Sequence, residues 1–413
     1  MKVLFLAPQP FYQERGTPIA VRLAVETLAK KFAQSQQLAP PPIDLLVYNE
    51  GSDIKIPGVR ILRVRTPKWL QGVRPGISLK KLACDVLFTI HALALLFRAR
   101  KEPYDIIHAV EESVFIAWMA KKILGIPYIY DMDSSLALQL TEKWWWCKPG
   151  LYVLQYLEGV AIRNSISVAP VCDALQAIAV GHGSASTVML RDISLLPNSG
   201  ESQSRSPSLF DPRISENERV ILYVGNLESY QGIDLLIESF ARICSDEPNA
   251  RVVIVGGTNE AIDHYSLKTS KLGCSDRVVF TGPRPVHELS KLLTAADVLV
   301  SPRIKGNNTP MKIYSYLHSG TALLATDLPT HRQVVTESIA VLAKPSVESF
   351  GNALRTLLRD DDLRERLGAA ARRTAEKLYT VEAFESQLGT LYDSVAARIG
   401  APSPIDSAQV QNV

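Results

Sequence analysis

Two α/β domains in tandem, each a doubly wound parallel sheet, are what this sequence predicts, and three observations predict them. The chain has 413 residues, too many for one ordinary core. Short apolar runs alternate with helical patterns along nearly its whole length, the signature of parallel strands joined by helical crossovers. The alternation breaks once, at GESQSRSPSLFDPRISENER (Gly200 to Arg219), which is rich in Ser and Pro and reads as a linker or long surface loop. The expected division is 1–200 as the first, acceptor-side domain, 201–217 as linker and 218–380 as the second, ligand-binding domain. Residues 381–400 are expected to form a helix crossing back to the first domain, and 401–413 a disordered tail.

The elements follow in order. MKVLFLAPQPF reads as a buried first strand: Pro8 and Pro10 arrive too soon for a signal peptide, and no small-residue cleavage site follows. Next comes IAVRLAVETLAKKFAQ, apolar at helical spacing. Gly16 and Thr17 precede this helix, whose free N–H groups and positive dipole end favour an anion. A plain strand-to-helix turn explains the same residues. The runs DLLVYN, VRILRV, DIIHAV, YIYDMD, SISVAP and ISLLPN continue the first series. Within it, Leu82 to Phe97 is apolar but contains Asp85 and His91. A spanning helix needs ~20 apolar residues, so this stretch is expected as a buried or interfacial helix. The second series is VILYVGN, VVIVGG, RVVFTG, DVLVSP, ALLATD and AVLAKP, separated by helical segments such as DLLIESFARICSD. Ligands of such sheets bind at the carboxyl ends of the strands, so the cleft between the domains is the expected place for chemistry.

Composition narrows the classes. With 46% hydrophobic and 21% charged residues the chain is an ordinary globular protein. A net charge of +3 does not argue for nucleic acid. The five cysteines are scattered and never form a CxxC pair. Reduced thiols in a cytoplasmic compartment are therefore expected, not a disulfide framework or a zinc site.

The order of landmarks is more specific. ERGTPIAVRLAVETLAKKF, YDIIHAVEES, IPYIYDMD, LLPNSG, ILYVGNLESYQGIDLLIESF, VVIVGG, RVVFTGPRP, AADVLVSP and TPMKIYSYLHSGTALLATDLP together resemble the retaining glycosyltransferases of family 4. The resemblance covers nearly everything except the linker and tail. It implies the GT-B fold, two Rossmann-like domains facing a central cleft, and transfer of a sugar from a nucleoside diphosphate-sugar without a metal or other cofactor. It also implies a mechanism in which the departing phosphate takes the acceptor's proton on the same face, so that the protein's task is to position the substrates and stabilise the leaving diphosphate.

The departures are as informative. Where the family places an Arg and a Lys on the donor diphosphate, after the glycine Gly225, this chain has Asn226 and Gln231. The family's two glutamates fall on Asn307 and Ser315. His108 fits the first position of the family's HxH pattern, but Val110 stands at the second. A diphosphate in a cleft without cations would be poorly compensated. Arg284, Arg303 and Lys312 are the available replacements, Arg303 by its planar fork and Lys312 as a point charge; for each, a solvated surface charge is the plainer explanation. Asn308 or Thr309 can cap the helix that follows Pro310, and with Asn307 they offer amide and hydroxyl groups to a sugar. Ser315 is expected to reach a ribose.

On the acceptor side, Glu111 and Glu112 follow one strand and Asp131 and Asp133 the next. Neighbouring carboxylates raise one another's pKa and can make a base; Glu111 or Asp133 is the expected catalytic base, while strand-end capping is the structural alternative. His108 is expected to belong to the strand core. No His, Cys and carboxylate grouping has metal-ligand spacing, so metal independence is expected. From Ile54 to Cys84 there are eight Lys or Arg residues and no acid. Arg63, Arg65, Lys68, Trp69, Lys80, Lys81 and the triplet Trp144, Trp145 and Trp146 suit the headgroup zone of an anionic membrane, although the arginines could instead face water from a strand and the tryptophans pack internally. Together these features point to a cytoplasmic enzyme, peripheral on the inner face of the plasma membrane. Its acceptor would be lipid-linked or a glycolipid, in surface polysaccharide or glycolipid synthesis. A catalytically inactive nucleotide-sugar-binding scaffold and a GT-B nucleotide-sugar epimerase remain as alternatives.

Overall fold

A computed structural model describes residues 1–12, 16–35, 43–51, 54–73, 78–137, 150–197, 206–306 and 308–400. The chain divides into two compact units, Met1–Arg191 with Phe384–Val413, and Asp192–Ala383.

The first unit is built on six parallel strands: β1 (Val3–Ala7), β2 (Ile43–Tyr48), β3 (Val59–Val64), β4 (Ile106–Val110), β5 (Tyr128–Met132) and β6 (Ser167–Pro170). Their order in the sheet is β3-β2-β1-β4-β5-β6. β1, β2, β4, β5 and β6 are buried along their whole length, which is why they read as continuous apolar runs rather than alternating ones. The edge strand β3 is only partly buried, with the exposed Arg60 donating to the buried Asp44 (Nε–Oδ1 2.7 Å). Helices α1 (Gly16–Ser35), α2 (Leu79–Arg98) and α3 (Val114–Leu124) are among its crossovers.

α2 shows how one apolar stretch serves two environments. Cys84, Phe88, Ala92 and Leu96 are buried in the first core, while Leu79, Leu82, Val86, Ile90 and Phe97 are exposed on another side. By length and composition Leu79–Lys101 could cross a membrane. One face of it is packed among side chains of this sheet's core. The helix starts at Ser78, whose side chain accepts the Lys81 N–H.

The second unit holds β7 (Arg219–Val224), β8 (Ala250–Val255), β9 (Val278–Gly282), β10 (Val298–Ser301), β11 (Ala322–Thr326) and β12 (Val341–Ala343). All are parallel, in the order β12-β11-β10-β7-β8-β9. Apolar clusters cover both faces of the sheet. The unit begins well before the expected boundary at residue 218, and part of the expected linker is core: Phe210 and Ile214 are buried beside Leu222 and Leu299. A Ser- and Pro-rich composition hid these two apolar anchors. Residues 198–205 lie outside the described residues. The helix Val381–Ile399 runs across the boundary, and its residues from Phe384 on belong to the first unit. The expected tail, 401–413, is outside the described residues.

In each sheet the strand order reverses once, between β1 and β4 in the first and between β7 and β10 in the second. The carboxyl ends of those strands lead into Pro8, Glu111, Gly225 and Pro302. Open α/β sheets bind ligands at such switch points.

Candidate active site

In the second unit the switch point gathers a cation, a ring and a glycine. Tyr223 and Gly225 lie two residues apart at the end of β7, so they face the same side. Lys312, at the start of the helix Lys312–Ser319, brings its Nζ 3.9 Å from the centroid of the Tyr223 ring and 3.3 Å from Oε1 of Gln231. A Cβ at Gly225 would stand 2.7 Å from that ammonium, and the glycine's φ is +152°. The missing side chain is what lets Lys312 lie against the strand end. Gly256 closes the other side, where a Cβ would meet the Gly225 carbonyl oxygen at 2.1 Å.

Burial pushes the Lys312 ammonium well below its ordinary pKa, and the positive charge of Arg303 adds to the effect. Among the described residues no carboxylate pairs with it. A shielded ammonium held by a π-face and an amide oxygen, with a guanidinium nearby, gains from an arriving anion.

Arg303 braces the loop after β10. Its Nε donates to the Lys305 carbonyl at 2.6 Å and its Nη1 to the Asn308 carbonyl at 3.1 Å, and the guanidinium stands 5.3 Å from the Tyr230 ring centroid. Thr326 donates its hydroxyl to the Arg303 carbonyl, and Thr330 donates to that of Asn308. Thr309 is buried and donates to the Thr330 carbonyl at 3.1 Å, instead of capping the helix, whose cap position is Met311. Sequence reasoning missed His331 altogether. It is fully buried, its Nδ1–H donating to the Thr326 carbonyl (2.8 Å) and its Nε2 accepting from Ser301 Oγ (2.8 Å). Burial, with Arg303 and Lys312 nearby, lowers its pKa to about 4, so it is a neutral strut between β10 and β11.

Three expected donor residues have side chains engaged elsewhere, although the Asn226 carbonyl accepts the Tyr223 hydroxyl at 2.6 Å. Ser315 is buried, and its Oγ accepts the backbone N–H of Leu195 at 2.9 Å. Arg284 pairs with Glu288 one helical turn on, at 2.7 Å, on a partly exposed surface. Asn226 turns its Oδ1 toward the Glu228 N–H, at 3.4 Å. Asn307 lies outside the described residues.

In the first unit, Gly16 opens α1 and is exposed, with Thr17 behind it. His108 is wholly buried in β4: its Nε2–H donates to Asp131 Oδ2 at 3.1 Å, and Nδ1 accepts from the Tyr392 hydroxyl at 2.9 Å. It stacks on Phe5 with centroids 4.3 Å apart. Glu111, directly after β4, is the one non-glycine residue with positive φ (+50°) among the described residues, a strained conformation of the kind found at functional sites. Its carboxyl accepts from Ser134 Oγ at 3.4 Å. Loss of solvent raises its pKa, with Asp131 and Asp85 adding to the rise and Lys81 opposing it. Asp133 is half-buried just beyond β5.

The basic run is more internal than the sequence implied. Lys81 pairs with Glu112 and with Asp85 (3.3 Å) and is no surface charge. Arg63 lies over the Tyr12 ring at 4.2 Å and donates to the Gly51 carbonyl at 3.2 Å. Lys80 donates to the Gln71 carbonyl. Arg65 and Lys68 are exposed, and Trp69 is 75% exposed. Trp144, Trp145 and Trp146 lie outside the described residues. Among the described residues, no group of three or more His, Cys, Asp or Glu side chains is placed to hold a metal ion.

Residues 205–374 match the family of group 1 glycosyl transferases. This chain is a glycosyltransferase of the GT-B fold, and the matched segment is similar to group 1. Over 386 residues it is 25% identical to D-inositol 3-phosphate glycosyltransferase of Corynebacterium glutamicum, covering 89% of this chain and 91% of that protein. Among solved structures it is similar to sucrose-phosphate synthase from Thermosynechococcus elongatus (20% identity, 96% and 100% coverage, TM-score 0.76). It is also similar to HepE of Anabaena in complex with UDP and glucose (18% identity, 95% and 100% coverage, TM-score 0.69). In this glycosyltransferase Gln231, one of the two neutral residues singled out after Gly225, lies within reach of the Lys312 ammonium.

Proposed function

We propose that this glycosyltransferase takes its sugar from a nucleoside diphosphate-sugar and transfers it with retention to an acceptor carrying a lipid, at the cytoplasmic face of a membrane, in glycolipid or surface polysaccharide synthesis. The observation that carries the donor assignment is Lys312, shielded against Tyr223 and Gly225 with no carboxylate partner among the described residues. A diphosphate supplies the missing counter-charge, and Arg303 holds the neighbouring loop where the leaving group would need positive potential. The Anabaena relative binds UDP and glucose, which supports the donor class. No catalytic metal enters this scheme; Lys312 and Arg303 take the charge of the departing diphosphate.

The exposed apolar stripe of α2, with Trp69 nearby in sequence, supports contact with a bilayer surface. Glu111, its pKa raised by loss of solvent, is suited to accept or share the acceptor hydroxyl's proton. The test is transfer from a panel of uridine, guanosine and adenosine diphosphate-sugars to alkyl glycosides in a chelator, with the product's anomeric configuration read by NMR. Retention with one base is expected; an inverted product, or a requirement for a divalent ion, would overturn the mechanism. A binding protein without turnover is the second reading. It is favoured by Ser315's engagement with Leu195, and it requires nucleotide-sugar binding with no product at all.

A further inference from the structure

At the switch point of the first sheet lies a cavity of about 370 Å³, of which the reading above uses only Glu111. Its size falls within the roughly 300–1,000 Å³ of small-molecule sites. Six apolar side chains, Leu82, Phe88, Phe115, Ile116, Met119 and Leu136, line it together with Pro8. Its polar lining is uneven: Asp85, Glu111 and Glu112 are set against Lys81, which already pairs with two of them. Leu82 belongs both to this wall and to the exposed stripe of α2, and is 58% exposed. The cavity therefore opens beside the exposed apolar stripe of α2.

We propose that this cavity receives the hydrocarbon chain of an uncharged amphiphile, an alkyl-chain-bearing sugar, whose hydroxyl head lies at Glu111. The identification of that head as the sugar acceptor rests on the transferase reading; the chain site does not. A soluble polyol would leave the cavity's accessible apolar side chains wetted. A phosphate-headed lipid would meet three carboxylates and a lysine already engaged, which disfavours it. A neutral sugar head satisfies carboxylates as a hydroxyl donor, and the flexible Met119 thioether suits a chain of variable shape.

The test is donor-free calorimetry of the full chain with methyl, octyl and dodecyl β-glucoside, below their micelle concentrations, and with dodecyl phosphate. Saturable one-to-one binding is expected, tightening by up to about fourfold per methylene until the cavity is filled, with dodecyl phosphate weaker than dodecyl glucoside. Met119→Trp, which fills the cavity, should weaken dodecyl glucoside at least tenfold. Leu82→Gln at the exposed mouth gives a second variant should Met119→Trp fail to fold. Val86→Ser with Ile90→Ser, on the stripe but outside the cavity, should leave glucoside binding intact. Equal affinity for methyl and dodecyl glucoside, tighter binding of the phosphate, or loss of binding only in the stripe variant would overturn the proposal. Nucleotide binding measured on the same samples reports separately on the transferase reading.

Discussion

At the scale of single residues, chemistry follows from who already has a partner. Glu111 has a weak hydroxyl contact, a strained backbone and a raised pKa, whereas both ring nitrogens of His108 are engaged and Ser315 accepts a backbone N–H. Glu111→Gln should therefore cut turnover at least a hundredfold and leave nucleotide affinity within about twofold. In the parent enzyme, activity should rise with pH through the elevated Glu111 pKa, because the deprotonated form is the base. Steady-state rates against pH, with nucleotide affinity measured in parallel, check both. Unchanged turnover in the variant would leave Glu111 as a strand-end cap. Lys312 was legible in the sequence because charge balance demanded a cation once Asn226 and Gln231 were neutral. The Ser315 contact was not, since its partner Leu195 lies 120 residues away and no local pattern encodes that meeting.

At the scale of elements, the strands were readable because buried parallel strands are continuous apolar runs, and the crossovers because helices alternate with them. The linker was misread for the opposite reason: two apolar anchors, Phe210 and Ile214, carry little weight in a window of Ser and Pro. His331 shows what element packing adds. It sits between β10 and β11 as a neutral ring, with its pKa lowered from 6.5 to about 4. The unfolded chain takes up a proton near pH 6.5 and the folded chain only near pH 4, so stability falls as pH drops through that window. The loss approaches roughly 3 kcal/mol if the full shift is expressed. His331→Asn should be less stable at pH 8 but should lose less on acidification to pH 4.5. Urea unfolding at the two pH values measures this, and an equal loss in both proteins would rule out His331 as the acid-sensitive strut.

At the scale of the whole molecule, two switch points carry two different chemistries: cationic and aromatic in the second unit, carboxylate and apolar in the first. Sequence order revealed the two sheets; it could not reveal that Lys81 of the basic run is drawn inward, because Lys81 finds Glu112 and Asp85 only once α2 and the end of β4 are packed. The central claim is that a relocated lysine holds the donor diphosphate. The most direct measurement is thermal unfolding of the parent chain and of Lys312→Ala with uridine, guanosine and adenosine diphosphates. A nucleotide at 100 times its Kd stabilises the parent by about 2.7 kcal/mol. Without ligand, the variant should be as stable as the parent or more so, since a shielded and unpaired charge has been removed. With ligand, the account predicts that the shift given by one base in the parent is lost in the variant, its affinity weaker by tenfold or more. An undiminished shift in Lys312→Ala, or no shift with any nucleotide in the parent, would contradict it.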